Sequence, residues 1–419
     1  MHILYLHQHF STPAGSTATR SFAFARALVA RGHRVTLATG RYQGAESGLA
    51  GPFRKGRREG RVAGFQVVEW DIPYTNAMGI VARSAAFLRY AAAATRLALQ
   101  EKPDLIIASS TPLTVALPAL CANALRDVPF MFEIRDPWPE LPRAMGVLPA
   151  PLAPLMEGLA NLACRRATAV VALSEGMAET ARARGADPAR VQVIGNGCDL
   201  DLFGPHITPW RPAEAAPWEV LALYAGAHGR ANGLGVVVEA ARLLAARGET
   251  RLRILLVGEG AEKTALMRAA DELPNITFLP PMPKREIARL FAGSQIALHI
   301  LTDCPAFAAW TAPNKLMDGL AAGRPVISNV PGDAARLLTE GGAGMAVAPG
   351  DAFGLAAALV SLVEEPARRA AMGEAARSLA VRQHDRRLLA ARFVALAEAI
   401  PSVQPALTKP AHFAISGRG

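Results

Sequence analysis

Four cysteines in 419 residues are few, and no two stand in a CxxC pair. A disulfide framework and a cysteine zinc site are therefore not expected, and the thiols read as free and buried in a reducing cytosol. The nine histidines are scattered without metal-ligand spacing, so no bound metal is expected. Aromatic residues make up only 6%, which leaves the cores to Ala, Leu and Val. No GxGxxG stands at a strand–helix turn, which disfavours a nicotinamide cofactor. No GxxxxGK(S/T) occurs, which disfavours a Walker-type ATPase, and without GxSxG an α/β-hydrolase has no support. No cofactor is expected. Long apolar runs are missing too. The longest uncharged stretch, 105–125, contains Ser109, Ser110, Pro112 and Pro118, so it reads as strand, loop and helix instead of a membrane span. The first ten residues, MHILYLHQHF, run straight into a strand pattern with no basic segment ahead, so a signal peptide is not expected. With no aromatic-interleaved basic stripe and no helix-turn-helix signature, nucleic acid is not an expected partner.

What is present points to a large α/β protein. Hydrophobic residues make up 51%, enough for sizeable cores, and the length suits two domains or one large one. The formal net charge of +10 is spread over both halves and favours anionic partners such as nucleotide sugars or lipid phosphates. The chain opens with an apolar strand over 2–8, a small-residue loop, and a helix whose Phe22, Ala25, Leu28 and Val29 recur at helical spacing; Gly32 ends it before a strand at 35–38. This β-loop-α-β order is the unit of a doubly wound parallel sheet. Residues 40–64, with FRKGRREGR at 53–61, read as a solvated charged loop, or as a contact for an anionic membrane or acceptor. The Ala-rich helix over 81–99 carries Arg83, Arg89 and Arg96, and suits either solvent or a membrane surface. Strands at 104–108 and 130–134 follow. Ser174 is placed to cap a helix. A Pro/Trp-rich linker at 205–218 precedes a second run of strand, loop and helix, and a strong amphipathic helix spans 387–400.

Chemistry concentrates in a few stretches. Gly15, Ser16 and Thr17 bring small residues and backbone N–H groups to a helix start, which suits phosphate or sugar hydroxyls. Arg135 and Asp136 follow the strand at 130–134, at the end of a parallel sheet where ligands bind. Gly226, Gly229 and Arg230 lie between a strand and a helix; the glycines permit close backbone approach and the guanidinium suits a diphosphate. The stretch 311–328, TAPNKLMDGLAAGRPVIS, reads as helix, turn and strand. Gly323 ends the helix and Pro325 prevents its restart. Lys315 and Asp318, three apart, share a face and suit a phosphate and a sugar hydroxyl, or form an ordinary surface pair. Asp199 and Asp201 resemble a metal-binding Asp-x-Asp, but lie in an Asx-rich turn at a domain junction.

In this order and spacing the motifs resemble the family 4 retaining glycosyltransferases, specifically the branch that builds bacterial surface polysaccharides such as O-antigen. They are the Gly15 loop with SFAFARALVARGHRVTLAT, EIRDPWPE at 133–140, VIGNGCDLDLF at 193–203, LYAGAHGRANGL at 223–234, LLVGEGAEK at 255–263 and APNKLMDGLAAGRPVIS at 312–328. The resemblance implies a GT-B fold, two Rossmann-like α/β domains facing across a cleft, with the last helix crossing back to the first domain. The expected domains are 1–204 with 385–400, for the acceptor, and 205–384, for the nucleotide sugar, followed by a flexible tail at 401–419. It implies sugar transfer from a nucleotide sugar, expected to be a UDP-sugar, to a lipid-linked saccharide. No essential metal is implied, and the protein is expected in the cytoplasm, peripheral on an anionic inner-membrane surface.

Arg230 matches the first residue of the family's diphosphate-binding basic pair. Asn232 stands where a lysine is usual, so Lys315 or Lys263 is expected to supply the second charge. Of the family's two carboxylates, the second falls on Asp318, a ribose ligand, and the first on Trp310, which can only pack or stack on sugar or base. Arg135 takes the place of a histidine, and Asp136 becomes the candidate for assisting the acceptor hydroxyl. Asp136, Arg230 and Lys315 are thus the expected catalytic set. Gly15, Ser16, Thr17, Arg135, Gly226, Gly229, Lys263, Trp310, Asn314, Leu316 and Asp318 are the expected substrate contacts. Trp310 and Arg135 keep open a non-catalytic nucleotide-sugar-binding or scaffolding subunit, and the fold keeps open a nucleotide-sugar epimerase.

Overall fold

The computed structural model describes residues 1–15, 19–75, 77–311 and 314–401. Of the expected tail over 401–419, all but Pro401 lies outside the described residues, as do Ser16 and Thr17.

Fourteen strands are described, and they form two sheets. The first sheet holds β1 (His2–Leu6), β2 (Arg34–Tyr42), β3 (Arg57–Val62), β4 (Phe65–Tyr74), β5 (Leu105–Ser109), β6 (Phe130–Ile134), β7 (Ala169–Ala172) and β8 (Val191–Val193). Their order is β3-β4-β2-β1-β5-β6-β7-β8. All its pairings are parallel except β3 with β4. β1, β5 and β6 are buried along their whole length, as parallel strands covered by helices on both faces must be.

β3 is a departure from expectation, because its residues RREGRV belong to the stretch expected to be a loop. Ala63 and Gly64, with φ of 48° and 96°, make the hairpin turn that pairs β3 with β4. It is an edge strand, where charged residues remain in solvent and also discourage pairing with other chains.

The second sheet holds β9 (Val220–Ala225), β10 (Leu252–Val257), β11 (Ile276–Leu279), β12 (Ile296–His299), β13 (Val326–Ser328) and β14 (Gly344–Ala346), in the order β11-β10-β9-β12-β13-β14. It is parallel throughout. Each sheet has an apolar core on both faces.

The final helix, Arg386–Glu398, returns to the first sheet. Its Phe393 is fully buried, 4.4 Å from the Phe24 ring and 6.2 Å from the Tyr5 ring. Arg386 fixes the crossing by donating to Thr19 Oγ1 and to the Gly197 carbonyl. The two sheets also meet where their carboxyl ends face each other. Ser174, after β7, caps its helix by accepting from Met177 N–H, and its hydroxyl donates to the Ala309 carbonyl at 2.9 Å. Among the described residues no helix is long and apolar enough to cross a membrane.

Candidate active site

Among its parallel strands each sheet reverses order once, between β1 and β5 and between β9 and β12. Ligands of open parallel sheets lie outside the carboxyl ends of the strands at such reversals. The loops that leave β1 and β9 there contain the glycine-bearing stretches singled out in the sequence.

Beyond β9 the chain turns through Gly226, Ala227, His228 and Gly229 into a short 3-10 helix, Arg230–Asn232. A Cβ on Gly226 would overlap Lys315 Cε, so the lysine side chain fills the space this glycine leaves. Lys315 Nζ donates to Tyr224 Oη at 2.7 Å and to Asn232 Oδ1 at 2.5 Å, and lies 4.7 Å from the Tyr224 ring centroid. The Tyr224 hydroxyl lies within 2.8 Å of the Ala227 carbonyl and 2.9 Å of Asn232 Oδ1. Burial lowers the Lys315 ammonium to about 8.

Two buried histidines neighbour this group. His228 has neither ring nitrogen hydrogen-bonded, while His299 Nδ1 meets Ser328 Oγ at 2.9 Å and leaves Nε2 unpaired. Burial, reinforced by Lys263 at His228 and by Lys315 at His299, holds both below the ordinary histidine value. Arg230 is exposed, and its guanidinium has no hydrogen bond or ion pair among the described residues.

Several expected contacts lie elsewhere. Lys263 is engaged at the ends of β10 and β11: Nζ donates to the carbonyls of Gly258 at 2.8 Å and Leu279 at 3.2 Å, and pairs with Glu259 at 3.3 Å. Asn314 opens the helix Asn314–Ala321, but Leu316 in its first turn is fully buried and belongs to the core. Lys315 and Asp318 do not act as one outward pair. Asp318 instead meets Lys284 Nζ at 3.2 Å, with Arg386 and Asp199 nearby; burial raises its carboxyl and the two cations oppose that. Trp310 packs against the first domain. Its indole N–H donates to Thr180 Oγ1 at 3.0 Å and its ring packs on the core of the first domain. The tight approach of Ala309 to Gly176, where a Cβ would strike the Ala309 carbonyl, brings it there.

In the first domain, Gly15 is required by space, since a Cβ would sit 2.8 Å from Glu46 N and 2.9 Å from the Gly44 carbonyl. Arg135 Nη1 donates to His7 Nε2 at 2.6 Å, so His7 carries its proton on Nδ1 and donates it to Ser21 Oγ at 2.7 Å. His7 is buried and held neutral, first by burial and then by Arg135. Asp136 Oδ2 accepts from Thr111 Oγ1 at 2.7 Å. Arg135, Asp136 and His7 therefore stand together at the carboxyl ends of β1, β5 and β6.

Beneath them lies a group that the sequence reading missed. Glu133 is fully buried and accepts from Arg20 Nε at 2.8 Å, Ser109 Oγ at 2.5 Å and Tyr5 Oη at 3.4 Å. Burial opposes its ionisation, but Arg20, Arg135 and Ser109 outweigh it and leave the carboxyl below its ordinary value. Arg20 also donates to the carbonyls of Ile194, at 2.7 Å, and Gly195, so one guanidinium ties β6 to the segment leading out of the first domain. A lone glutamate inside the apolar run FMFEI is the sequence signal for such a pair.

Comparison with known proteins fits this architecture. Residues 15–197 match the glycosyl transferase 4-like domain, and residues 219–365 match the glycosyl transferases group 1 domain. The D-inositol 3-phosphate glycosyltransferase of Pseudarthrobacter chlorophenolicus is 30% identical over 211 residues, 48% of this chain and 49% of that protein. The chain thus spans about half the length of the curated relatives it matches. Among solved structures, the sucrose-phosphate synthase of Thermosynechococcus elongatus aligns with a TM-score of 0.74 at 15% identity, over 95% of this chain and 98% of that one. The Anabaena protein HepE in complex with UDP and glucose aligns with a TM-score of 0.67 at 17% identity, over 95% and 99%. Residues 15–197 therefore belong to the glycosyl transferase 4-like family and residues 219–365 to the glycosyl transferases group 1 family, and together they form the GT-B fold.

Proposed function

We propose that the chain is a retaining glycosyltransferase that moves a sugar from a nucleotide sugar, a UDP-sugar, to a lipid-linked saccharide in cell-surface polysaccharide biosynthesis. One observation carries the donor half of this reading: Lys315 Nζ reaches from its helix into the glycine loop that carries the exposed Arg230, at the strand-order reversal of the second sheet. Without a metal, cations and helix starts must stabilise the charge that develops on a departing diphosphate. Arg230 and Lys315 take that role, with Gly226, Gly229 and Asn314 lining the approach. Asp318, oriented by Lys284, is the ribose ligand. Residues 205–384 form the donor domain, and 1–204 with 385–400 the acceptor domain.

On the acceptor side Asp136 orients the incoming hydroxyl, and Arg135, braced by His7, faces an anionic part of the acceptor. Gly15, in the loop after β1, completes this side. Location at the inner membrane face draws support from the first domain. The neighbouring helices Ile80–Glu101, Ala116–Arg126 and Ala153–Arg166 expose Leu88, Leu125, Leu155 and Leu162 beside Arg89, Arg96, Arg126, Arg165 and Arg166.

The test is transfer from a panel of nucleotide sugars to undecaprenyl-linked saccharides, with inositol 3-phosphate as a competing acceptor and the anomeric configuration read by NMR. Product with retained configuration is expected from the lipid-linked acceptor. Product only on inositol phosphate moves the acceptor class. Absence of both product and nucleotide binding removes the reading. A non-catalytic subunit is the second reading, favoured by Trp310, which stands in place of one carboxylate and leaves Asp318 alone of the pair. Loss of turnover in Arg230→Ala excludes it.

A further inference from the structure

We propose that Tyr224 and Asn232 are positioning residues that hold the Lys315 ammonium for the donor's diphosphate, and that Gly226 supplies the slot its side chain needs. This rests on the reading of the second domain as the donor domain. Lysine is a flexible chain ending in a compact point charge, so placing that charge needs fixed partners. Lys315 arises from the Asn314–Ala321 helix, passes through the space Gly226 leaves open, and ends against residues of β9 and the 3-10 helix.

The partners are neutral. Tyr224 Oη and Asn232 Oδ1 each accept from Nζ, at 2.7 Å and 2.5 Å, and the phenol proton is directed to the Ala227 carbonyl or to Asn232 Oδ1. A carboxylate in either place would cancel the charge; two neutral oxygens fix it and leave it for an anion. The third N–H has no partner among the described residues. Asp318, on the same helix, is paired with Lys284, and Glu259, after β10, with Lys263. The titratable groups that face the ammonium besides Tyr224 are His228 and His299, and neither supplies a negative charge.

A cation held this way is costly while the site is empty, consistent with its value near 8, and a diphosphate restores its proton. Nucleoside diphosphate affinity should therefore fall on the alkaline side, with proton uptake on binding. Removing an acceptor from the ammonium should move that fall to lower pH.

The experiment is calorimetric titration of the full chain with UDP and with uridine, from neutral to alkaline pH. The proteins are wild type, Lys315→Met, Tyr224→Phe, Asn232→Ala and the doubles with Lys315→Met; Tyr224→Phe removes one oxygen without changing the packing. Expected results are as follows. Lys315→Met weakens UDP about tenfold or more and leaves uridine unchanged. Tyr224→Phe and Asn232→Ala weaken UDP about threefold to tenfold and shift the alkaline fall to lower pH. In the Lys315→Met background neither has further effect, and Lys315→Met/Asn232→Lys regains most of the loss. Tyr224→Phe and Asn232→Ala that bind UDP like wild type, with an unmoved pH profile, overturn the proposal while leaving the donor site standing. Equal losses in the presence and absence of Lys315 also overturn it, since they mark a merely structural role. Wild type that binds no nucleotide removes the donor reading itself, and the proposal with it.

Discussion

Trp310 of the second domain donates its indole N–H to Thr180 Oγ1 of the first at 3.0 Å, on the side where the carboxyl ends of the two sheets meet. The Ser174–Ala309 bond lies beside it, while Arg386 and the returning helix join the domains at the crossing. The two domains are therefore joined at two places, and Trp310 is the aromatic anchor of one. Trp310→Ala is expected to widen the small-angle scattering profile without unfolding either domain. It should also lower kcat/KM by about tenfold or more, because donor and acceptor groups then lose their alignment. An unchanged profile together with an unchanged kcat/KM refutes this role.

Glu133 and Arg20 predict a different behaviour, in stability. Removing one partner of a buried pair strands the other charge and costs about 3–5 kcal/mol, whereas replacing both with apolar residues costs less. Glu133→Ala is expected near that range in urea denaturation, and Glu133→Leu/Arg20→Met at a smaller loss. The pH dependence follows from the lowered carboxyl. The unfolded glutamate titrates near ~4.3, so the pair's contribution is complete above that value and is lost as pH falls through the lower, folded value. The acid slope of the denaturation midpoint should flatten in Glu133→Gln. A slope identical to wild type assigns acid unfolding to other carboxylates.

Much of this fold is legible in short apolar runs. β6, β9, β11 and β13 span the residues that their hydrophobicity and flanking turns suggest, and Ser174 caps its helix. β3 is hidden because an edge strand bears the charges of a loop. The site is read less completely, since helical spacing gives a side chain's starting direction but not its destination. Lys315 and Asp318 leave one helix and end in separate clusters, because Gly226 admits one and Lys284 draws the other. Trp310 contacts a residue 130 positions away, and Glu133 pairs with one 113 away. No local pattern encodes either partner.

The exposed leucines of the first domain predict binding to an anionic surface. Leu88, Leu125, Leu155 and Leu162 are 58%, 67%, 72% and 47% exposed, among arginines that attract acidic headgroups. Co-sedimentation with phosphatidylglycerol-containing vesicles is expected to exceed that with neutral vesicles and to fall as salt screens the arginines. Leu88→Ser/Leu155→Ser should weaken it by about tenfold, because each inserted leucine side chain contributes roughly 1.5–3 kcal/mol when fully buried. Equal binding to neutral and anionic vesicles, or no binding to either, counts against this surface.

Two glycines of the second domain separate function from stability. At Gly226 an added methyl meets the outer carbons of Lys315, a flexible chain that can swing aside. At Gly258, with φ of 145°, the methyl meets the Gly226 carbonyl, which is backbone and cannot yield without moving β9 or β10. Gly226→Ala is therefore expected to keep its thermal midpoint close to wild type while UDP affinity falls toward that of Lys315→Met. Gly258→Ala carries both the clash and a backbone conformation that side chains rarely adopt, and should lose about 2 kcal/mol or more in denaturant unfolding. Thermal melts and UDP titrations on the same preparations decide it. If Gly226→Ala is destabilised as much as Gly258→Ala, or binds UDP normally, then the slot is only a packing requirement and Lys315 does not depend on it.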